Sequence, residues 1–585
     1  MTHLAHRFSR RVRIGALCTA AALATILTAS VPSVAAAPTK QSSFTPVEQL
    51  AASPGRLTSQ SLTVTTDDGQ LHGRTTGPVD QWLGIPYARP PVGALRWEPP
   101  QPAASWTGVR DAITYGNECT QLGNPTVNTE DCLYLNVFAP AVVKADAKLP
   151  VLFWIHGGGS VSGSGDQYDG SLLAQSDGII VVTINYRLGP FGILDLPGLS
   201  GAEPAGNFSL LDMEAALRWT QSNIAAFDGD PSKVTIAGES AGGMAVCSLL
   251  ASPPAKGLFS AAIMESGSCR GNSEATAQAE ALAVAKAAGC PDAATAAACM
   301  RGKSEESVLS AGASFIPVWY TYGGPDLPIS PLQAIESGRY NRVPILMGDN
   351  RDEGRAFSAG YAGYTSQQYT QLVNSAFGAA CGAVFGLNGF LCGYPPGAGS
   401  SPAGLASEVL ARYPFSAFPK QDTGSYAIGA LITDSWLYGG IGGCGAQEVA
   451  TSLAKTTTLY FYQFDDPSPP SSSGGLPGFQ PGPDHGSELP FLWPSAGSGN
   501  SLAAEFTPAE QELSSQMVTY WGKFTKTGSP DTSGQPGWPA YSASAGSHAM
   551  LISLRPGDQT RTISGATYSA EHQCSFWDQQ PQPQF

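Results

Sequence analysis

Short apolar runs recur along the chain, and each stops abruptly at polar or glycine-rich residues. They occupy residues 151–156, 179–186, 234–238, 261–265, 343–348 and 459–464. Runs of this length without alternating polarity are typical of strands buried on both faces of a parallel sheet. Helical spacing of apolar residues occurs at 209–226, begins again at Ala241 and returns at 517–526. This alternation predicts an α/β fold with a mostly parallel central sheet flanked by helices, and functional groups at the carboxyl ends of the strands.

The first 36 residues have the order of a secretory signal peptide. A basic segment with four arginines precedes an apolar run, and small residues follow at 35–37. We expect cleavage after Ala36, and the Arg10-Arg11 pair leaves twin-arginine export open. Residues 37–57 then form an N-terminal extension. No other stretch is long and apolar enough to cross a bilayer, so we expect a secreted protein without a membrane anchor.

Composition and charge exclude several classes of function. Hydrophobic residues make up 42% of the 585 residues, which is enough for a large core and excludes global disorder. Removing the signal peptide lowers the net charge from −15 to −19, because four arginines and no acidic residues are lost. So acidic a surface argues against nucleic acid or anionic lipid as a partner.

Ten cysteines remain once Cys18 is removed with the signal peptide. An even number in an exported chain favours disulfides. Two close pairs and a third local pair stand out, together with one long-range pair: Cys119–Cys132, Cys290–Cys299, Cys381–Cys392 and Cys444–Cys574. The remaining Cys247 and Cys269 could pair with each other or stay as buried thiols.

The strongest local motif is G-x-S-x-G, which runs from Gly238 to Gly242 between a predicted strand and a predicted helix. A sharp strand-to-helix turn holds the central Ser240 exposed, and the flanking glycines relieve crowding. Such a serine needs a base that removes its proton. His485 is the best candidate by position, because it follows the strand at 459–464 and its long loop. If its pKa is unperturbed, activity should fall as the pH drops through ~6.5.

The base in turn needs a carboxylate that fixes its tautomer and stabilises its cation. Three acids, Asp349, Asp352 and Glu353, follow the strand at 343–348, and spacing alone does not choose among them. The order of serine, acid and histidine along the chain is that of α/β-hydrolases. His156 ends another strand beside three glycines, where a structural or supporting role is expected.

An oxyanion formed on attack by serine requires preorganised N–H donors. Residues 157–159 are all glycine and follow a strand, so their amides can approach a ligand without obstruction by a Cβ atom. Ala241, directly after the candidate nucleophile, offers another amide. No metal or cofactor is required by this chemistry. We expect the remaining histidines, His72, His548 and His572, to have no catalytic task.

Ordered motifs along the mature chain resemble those of the type-B carboxylesterase family, which includes cholinesterases and fungal lipases. The matching segments are WLGIPYA at 82–88, PPVG at 90–93, EDCLYLN at 130–136, NYRLG at 185–189, NI at 223–224 and GDP at 229–231. The resemblance implies an α/β-hydrolase fold with large loop insertions, formed by residues 58–585 as a single catalytic domain. It also implies a serine esterase that acts on a small-molecule or lipid-like ester.

The family pattern places its catalytic acid before a glycine, which implies Glu353 here. It implies Gly158, Gly159 and Ala241 as the oxyanion donors, and Glu239 and Ser266 match positions that the family uses beside the triad. The resemblance also supports disulfides Cys119–Cys132, Cys290–Cys299 and Cys444–Cys574.

Departures from the family pattern bear on the substrate. Only 12 residues separate Cys119 from Cys132 and none is tryptophan, so the choline-contacting tryptophan of cholinesterases has no counterpart there. The same short loop leaves little room for a lipase lid. Ser209 replaces a usual glycine, and Trp319-Tyr320 replace a usual Asp-Gly. The alternatives are a lipase or polyester hydrolase, or a non-catalytic binding protein with the same fold.

Overall fold

The computed structural model describes residues 57–59, 61–122, 129–144, 146–199, 206–313, 319–377, 402–470, 479–494, 502–542 and 550–580. All of these lie within one unit, Gly55–Phe585. The predicted signal peptide and nearly all of the predicted extension lie outside the described residues, as do Cys381, Cys392 and His548. Within the described ranges, no helix combines the length and apolar character that a membrane span needs.

The strands, in chain order, are β1 (Leu57–Ser59), β2 (Thr63–Thr66), β3 (Gly69–His72), β4 (Arg74–Thr76), β5 (Val79–Pro86), β6 (Val109–Asp111), β7 (Tyr134–Pro140), β8 (Val142–Lys144), β9 (Leu149–Ile155), β10 (Ile180–Ile184), β11 (Gly229–Glu239), β12 (Ala261–Glu265), β13 (Asn272–Ser273), β14 (Thr321–Tyr322), β15 (Ile345–Asn350), β16 (Leu459–Phe464), β17 (Met550–Leu554) and β18 (Arg561–Ser564).

The helices are α1 (Ser171–Asp177), α2 (Gly189–Gly192), α3 (Phe208–Asn223), α4 (Ala241–Ala251), α5 (Glu274–Ala287), α6 (Ala296–Arg301), α7 (Glu305–Gly312), α8 (Pro331–Glu336), α9 (Ser366–Phe377), α10 (Pro402–Arg412), α11 (Thr423–Asp434), α12 (Gly443–Leu453), α13 (Leu489–Leu492), α14 (Pro508–Thr527), α15 (Gly565–Glu571) and α16 (Cys574–Trp577).

Eleven of the described strands form one mixed sheet in the order β18-β17-β16-β15-β12-β11-β9-β10-β7-β5-β4. The run from β17 to β10 is parallel, and the pairs at both ends of the sheet are antiparallel. All six predicted strands lie in this parallel run. Because β9, β11, β12, β15 and β16 point the same way, their carboxyl ends meet at one edge.

Each face of the sheet packs against helices, which explains the continuous apolar runs. Along β9, Val151 and Phe153 belong to the core beneath α3, α4 and α12, while Leu152 and Trp154 belong to the core beneath α1 and α14. Successive residues of a strand point to opposite faces, so a strand covered on both sides must be apolar at every position.

Several element boundaries differ from the sequence predictions, among them the start of α14 and the end of β15. Helix α14 begins at Pro508, earlier than the predicted residue 517, behind a capping box formed by Thr507 and Glu510. Its first turns are mostly polar and only Glu510 and Leu513 are buried there, so apolar spacing detects only the second half. Strand β15 extends to Asn350, beyond the predicted end at Gly348, because its last residues pair with β16.

Four disulfides link described residues: Cys119–Cys132, Cys247–Cys269, Cys290–Cys299 and Cys444–Cys574. Cys247 and Cys269, for which free thiols were the alternative, are bonded. Cys444–Cys574 closes the longest loop of the four, joining α12 to α16.

Candidate active site

Ser240 lies in the sharp turn between β11 and α4, with φ 58° and ψ −122°. A non-glycine residue at positive φ is strained and persists only where its surroundings hold it in place. Gly242 is required here, because a Cβ atom on it would lie 2.0 Å from the carbonyl oxygen of Ile155. A Cβ atom on Gly238 would lie 2.6 Å from the carbonyl carbon of Gly242. These close backbone approaches explain the G-x-S-x-G spacing and leave the serine partly exposed.

His485 links Ser240 to Glu353 through two hydrogen bonds. The distance from His485 Nε2 to Ser240 Oγ is 2.8 Å, and that from His485 Nδ1 to Glu353 Oε2 is 2.5 Å. A carboxylate only accepts, so the neutral ring donates Nδ1–H to Glu353 and accepts the serine proton at Nε2. The structure therefore brings together the candidate nucleophile, the candidate base and the candidate acid from three separate segments of the chain.

The three acids that competed in the sequence have different partners. Asp349 accepts from the Gly443 backbone N–H at 2.9 Å and from the Tyr568 hydroxyl. Asp352 forms ion pairs with Arg351 and Arg355, at 2.9 and 2.8 Å. Glu353 alone of the three contacts His485.

Three donors hold the Glu353 carboxyl group, which is completely buried. Its Oε1 accepts from Ser266 Oγ–H at 2.5 Å and from the Asn350 backbone N–H at 2.7 Å, while Oε2 accepts from His485. Hydrogen bonds to a charged acceptor are roughly twice as strong as neutral ones. Ser266 thus lies where its hydroxyl fixes the acid.

Burial alone would lower the pKa of His485, but the negative charges of Glu239 and Glu353 outweigh burial and raise it. Glu239 Oε1 lies 3.3 Å from His485 Nε2, on the side facing the nucleophile. The pKa of Glu239 is itself raised, mainly by burial and further by the like charge of Glu353, against the opposing charge of His485. The predicted acid limit near ~6.5 assumed an unperturbed histidine; with the pKa of His485 raised by these charges, we expect that limit at higher pH.

The glycine segment after β9 lies against the nucleophile, since a Cβ atom on Gly157 would be 3.1 Å from Ser240 Cβ. Gly158 and Gly159 have φ of +96° and +62°, and a Cβ atom on Gly158 would lie 2.2 Å from the Ser162 carbonyl oxygen. Ala241 is the first residue of α4, where backbone N–H groups have no partner within the helix. The predicted oxyanion donors Gly158 and Gly159 thus follow a residue that adjoins Ser240, and Ala241 follows Ser240 directly; their role as donors stays a prediction.

The other described histidines have partners outside this hydrogen-bonded chain. His156 is buried, stacks on Tyr186 at 4.3 Å and donates Nδ1–H to the Gly157 carbonyl at 2.8 Å. Burial lowers its pKa to about 4, so it stays neutral and supports the glycine segment. His72 bonds Thr63 near the surface, and His572 is buried against Asp434.

The sequence from residue 60 to residue 577 matches the model of the carboxylesterase family. The chain belongs to the carboxylesterase family. The predicted α/β-hydrolase fold and the predicted reaction class are thereby confirmed, and the protein is a serine carboxylic-ester hydrolase.

This carboxylesterase is similar to proteins from animals and bacteria. It is 34% identical to human "Cocaine esterase" over 503 residues, which cover 82% of this chain and 85% of the human protein. It is 35% identical to "Para-nitrobenzyl esterase" of Bacillus subtilis (strain 168) over 500 residues, 82% of this chain and 92% of that protein. A solved PNB esterase superposes with a TM-score of 0.69 at 31% identity, covering 88% of this chain and 100% of the other.

An apolar wall beside the candidate catalytic residues of this carboxylesterase was not predicted from the sequence, apart from the unusual Trp319. Buried Met244, Trp319 and Ile441 pack together with Phe357 and Tyr438. The Phe357 ring lies 4.9 Å from the His485 ring and 4.7 Å from that of Tyr438. These residues come from four segments that are far apart in the sequence, so no local sequence pattern predicts that they pack together. Besides Trp319, the position of Phe357, four residues after the candidate acid, was the one available signal.

The Cys119–Cys132 loop is tied to the chain that follows the glycine segment. Gln121 Nε2 donates to the Gly163 carbonyl at 3.1 Å, and the Gly163 N–H donates back to Gln121 Oε1 at 2.9 Å. This paired contact fixes the described start of the loop beside residues 157–163.

Proposed function

We propose that the chain hydrolyses its ester through an acyl-enzyme on Ser240, with His485 as base and Glu353 as acid. The observation that carries this proposal is the continuous hydrogen-bond chain from Ser240 Oγ through His485 to Glu353. It starts at a strained, partly exposed serine and ends at a fully buried carboxylate. That arrangement has the geometry of a nucleophile, a base and an orienting group.

In the first half-reaction His485 Nε2 takes the proton of Ser240 while Oγ attacks the ester carbonyl carbon. The oxyanion lies beside the amides of Gly158, Gly159 and Ala241, and Glu353 stabilises the imidazolium. His485 then gives the proton to the leaving alcohol. In the second half-reaction the same histidine activates water, which releases the acid and restores the serine.

Hydrolysis of short p-nitrophenyl esters by the purified mature chain tests this proposal. Ser240→Ala should lower kcat by several orders of magnitude while leaving the fold intact. Ser248→Ala is a matched control, because Ser248 is buried in α4 and its hydroxyl has no partner among the described residues. Equal activity of the Ser240→Ala variant and the native protein would refute the proposal. If both variants and the native protein fold but hydrolyse no ester, a binding protein is indicated instead.

We further infer that the substrate is a small ester with an apolar acyl or alcohol group, a class that includes lipid-like esters. Support comes from the wall formed by Met244, Trp319, Phe357, Tyr438 and Ile441. An apolar acyl or alcohol group would gain about 0.8 kcal/mol for each CH₂ buried against it. A series of p-nitrophenyl esters of increasing chain length tests this, with kcat/KM rising before it falls. Comparing soluble with emulsified substrate separates an esterase from a lipase, since only a lipase gains sharply at the interface.

Export is proposed from the signal-like residues 1–36. The four disulfides among the described residues support it, since stable disulfides form in oxidising compartments. N-terminal sequencing of the protein recovered from culture medium should give a chain that begins at Ala37. Retention of the full-length chain inside the cell would refute the inference.

A further inference from the structure

Four hydrogen bonds join residues 350–355, which include the candidate acid, to residues 481–485, which include the candidate base. They are additional to the contact between the Glu353 carboxylate and the His485 ring. The donors and acceptors are Arg355 Nη1 and the Pro481 carbonyl at 3.0 Å, Asp352 N–H and the Pro483 carbonyl at 2.9 Å, Asn350 Nδ2 and the Asp484 carbonyl at 2.9 Å, and His485 N–H and the Glu353 carbonyl at 3.3 Å. The loop before His485 is therefore fixed against the segment that carries the acid.

The Arg355 guanidinium makes the outermost of these contacts, and it is held on two further sides. Its Nη2 lies 2.8 Å from Asp352 Oδ1, and its Cζ lies 5.0 Å from the centre of the Tyr426 ring. Tyr426 in turn donates its hydroxyl to the Gln480 carbonyl at 3.1 Å. The donors of a guanidinium form a rigid planar fork, so an ion pair on one arm sets the direction of the other. Asp352 and Tyr426 therefore orient Arg355 toward the Pro481 carbonyl.

The loop turns at Gly482, directly against the ion pair of Arg355 and Asp352. The φ of Gly482 is +68°, and a Cβ atom on it would lie 3.1 Å from Arg355 Nη1 and 3.4 Å from Asp352 Oδ2. Proline has no backbone N–H, so the flanking Pro481 and Pro483 can bond through their carbonyl groups alone. Both carbonyls accept from residues 350–355, one of them from the guanidinium.

We propose that Arg355 is a positioning residue of the esterase, which binds the Pro481 carbonyl and thereby holds the loop so that His485 Nε2 stays within reach of Ser240 Oγ. The proposal rests on the proposed function, in which His485 is the base. Arg355 does not touch the reacting atoms, and its effect passes through the loop.

One short 3₁₀ turn, Glu353–Phe357, carries both the candidate acid and Arg355. The acid binds the His485 ring at a single atom, Nδ1, and a single hydrogen bond leaves the ring free to tilt. The 2.8 Å distance between Nε2 and the Ser240 hydroxyl therefore depends also on where the backbone of His485 lies. Arg355 fixes that backbone four residues upstream, through a hydrogen bond strengthened by the charge of its donor.

Steady-state hydrolysis of a soluble p-nitrophenyl ester by the full mature chain tests the proposal, with Tm measured on the same samples. Arg355→Ala should lower kcat about 10- to 100-fold, the cost of misplacing a catalytic group by about 1 Å. KM should change little, because Arg355 contacts the loop and not the substrate. Arg355→Lys should lose less, since an ammonium can bind the Pro481 carbonyl but cannot also reproduce the fork contact with Asp352.

Arg301→Ala is the matched control. Arg301 also combines an ion pair, with Glu98, and hydrogen bonds to backbone carbonyls, and its side chain is 26% exposed against 24% for Arg355. None of its hydrogen-bond partners belongs to residues 350–355 or 481–485. This variant should lose stability without a matching loss of kcat.

Chemical rescue separates positioning from a merely structural role. Guanidinium ion, added to Arg355→Ala at a concentration that leaves Tm unchanged, should restore part of kcat, and sodium chloride at the same concentration should not. Failure of guanidinium to raise kcat would overturn the proposal.

An unchanged kcat in Arg355→Ala, or equal losses of kcat in Arg355→Ala and Arg301→Ala, would also overturn it. If Arg355→Ala does not fold, Arg355→Lys carries the test: a lower kcat at native KM supports the proposal, and a native kcat refutes it. Failure of the proposed function is distinguishable, because activity would then persist in Ser240→Ala.

Discussion

Replacing Ser266 with alanine removes one of three hydrogen bonds that hold the Glu353 carboxylate. The Ser266 side chain is buried, and its backbone φ is 47°. Alanine also has a Cβ atom, so the substitution leaves the backbone strain at this position unchanged. A hydrogen bond to a charged group contributes about 1.5–3 kcal/mol. If all of it were lost in the transition state, kcat would fall about 10- to 100-fold. KM should change little, because the hydroxyl lies behind the acid and not beside the substrate.

The assay is steady-state hydrolysis of a soluble p-nitrophenyl ester, with thermal unfolding measured on the same samples. Ser252→Ala is the matched control, since the buried Ser252 hydroxyl donates to the buried Glu214 at 2.7 Å in a part of the molecule remote from the triad. Both variants should lose similar stability, but only Ser266→Ala should lose kcat. An unchanged kcat in Ser266→Ala, or equal losses in both variants, would refute the role given to this bond.

Two further predictions concern stability. Cys444 and Cys574 are 130 residues apart. Replacing both with serine should destabilise the protein by up to about 5 kcal/mol, because the unfolded chain regains the freedom that the disulfide removes. Tm should therefore fall, and an unchanged Tm would contradict this. For His572, burial would lower the pKa, but the hydrogen bond and charge of Asp434 outweigh burial and raise it to about 9. The stabilisation that protonated His572 contributes is fully present below pH ~6.5 and is lost as the pH rises through about 9. Tm should therefore fall over that pH window, and it should fall less in the His572→Gln variant.

The parallel part of the sheet was predictable because its strands are covered on both faces. Burial on both sides leaves a continuous apolar run that survives in the sequence as a local signal, as at 151–156. The edge strands β4 and β18 have mixed or exposed positions and gave no such signal. The first half of α14 was missed for the same reason, since few of its side chains there reach the core.

The features of the candidate active site likewise fall into two groups: those fixed by local contacts, and those fixed by contacts between distant segments of the chain. The turn at Ser240 is predictable from five consecutive residues. Gly238 and Gly242 are required because a Cβ atom on either would clash with backbone atoms of the turn itself or of the adjacent β9. The choice of Glu353 over its neighbouring acids depends instead on contacts made by chain segments more than a hundred residues away, notably His485. Spacing cannot report such contacts, and only the resemblance to known esterases singled out this glutamate.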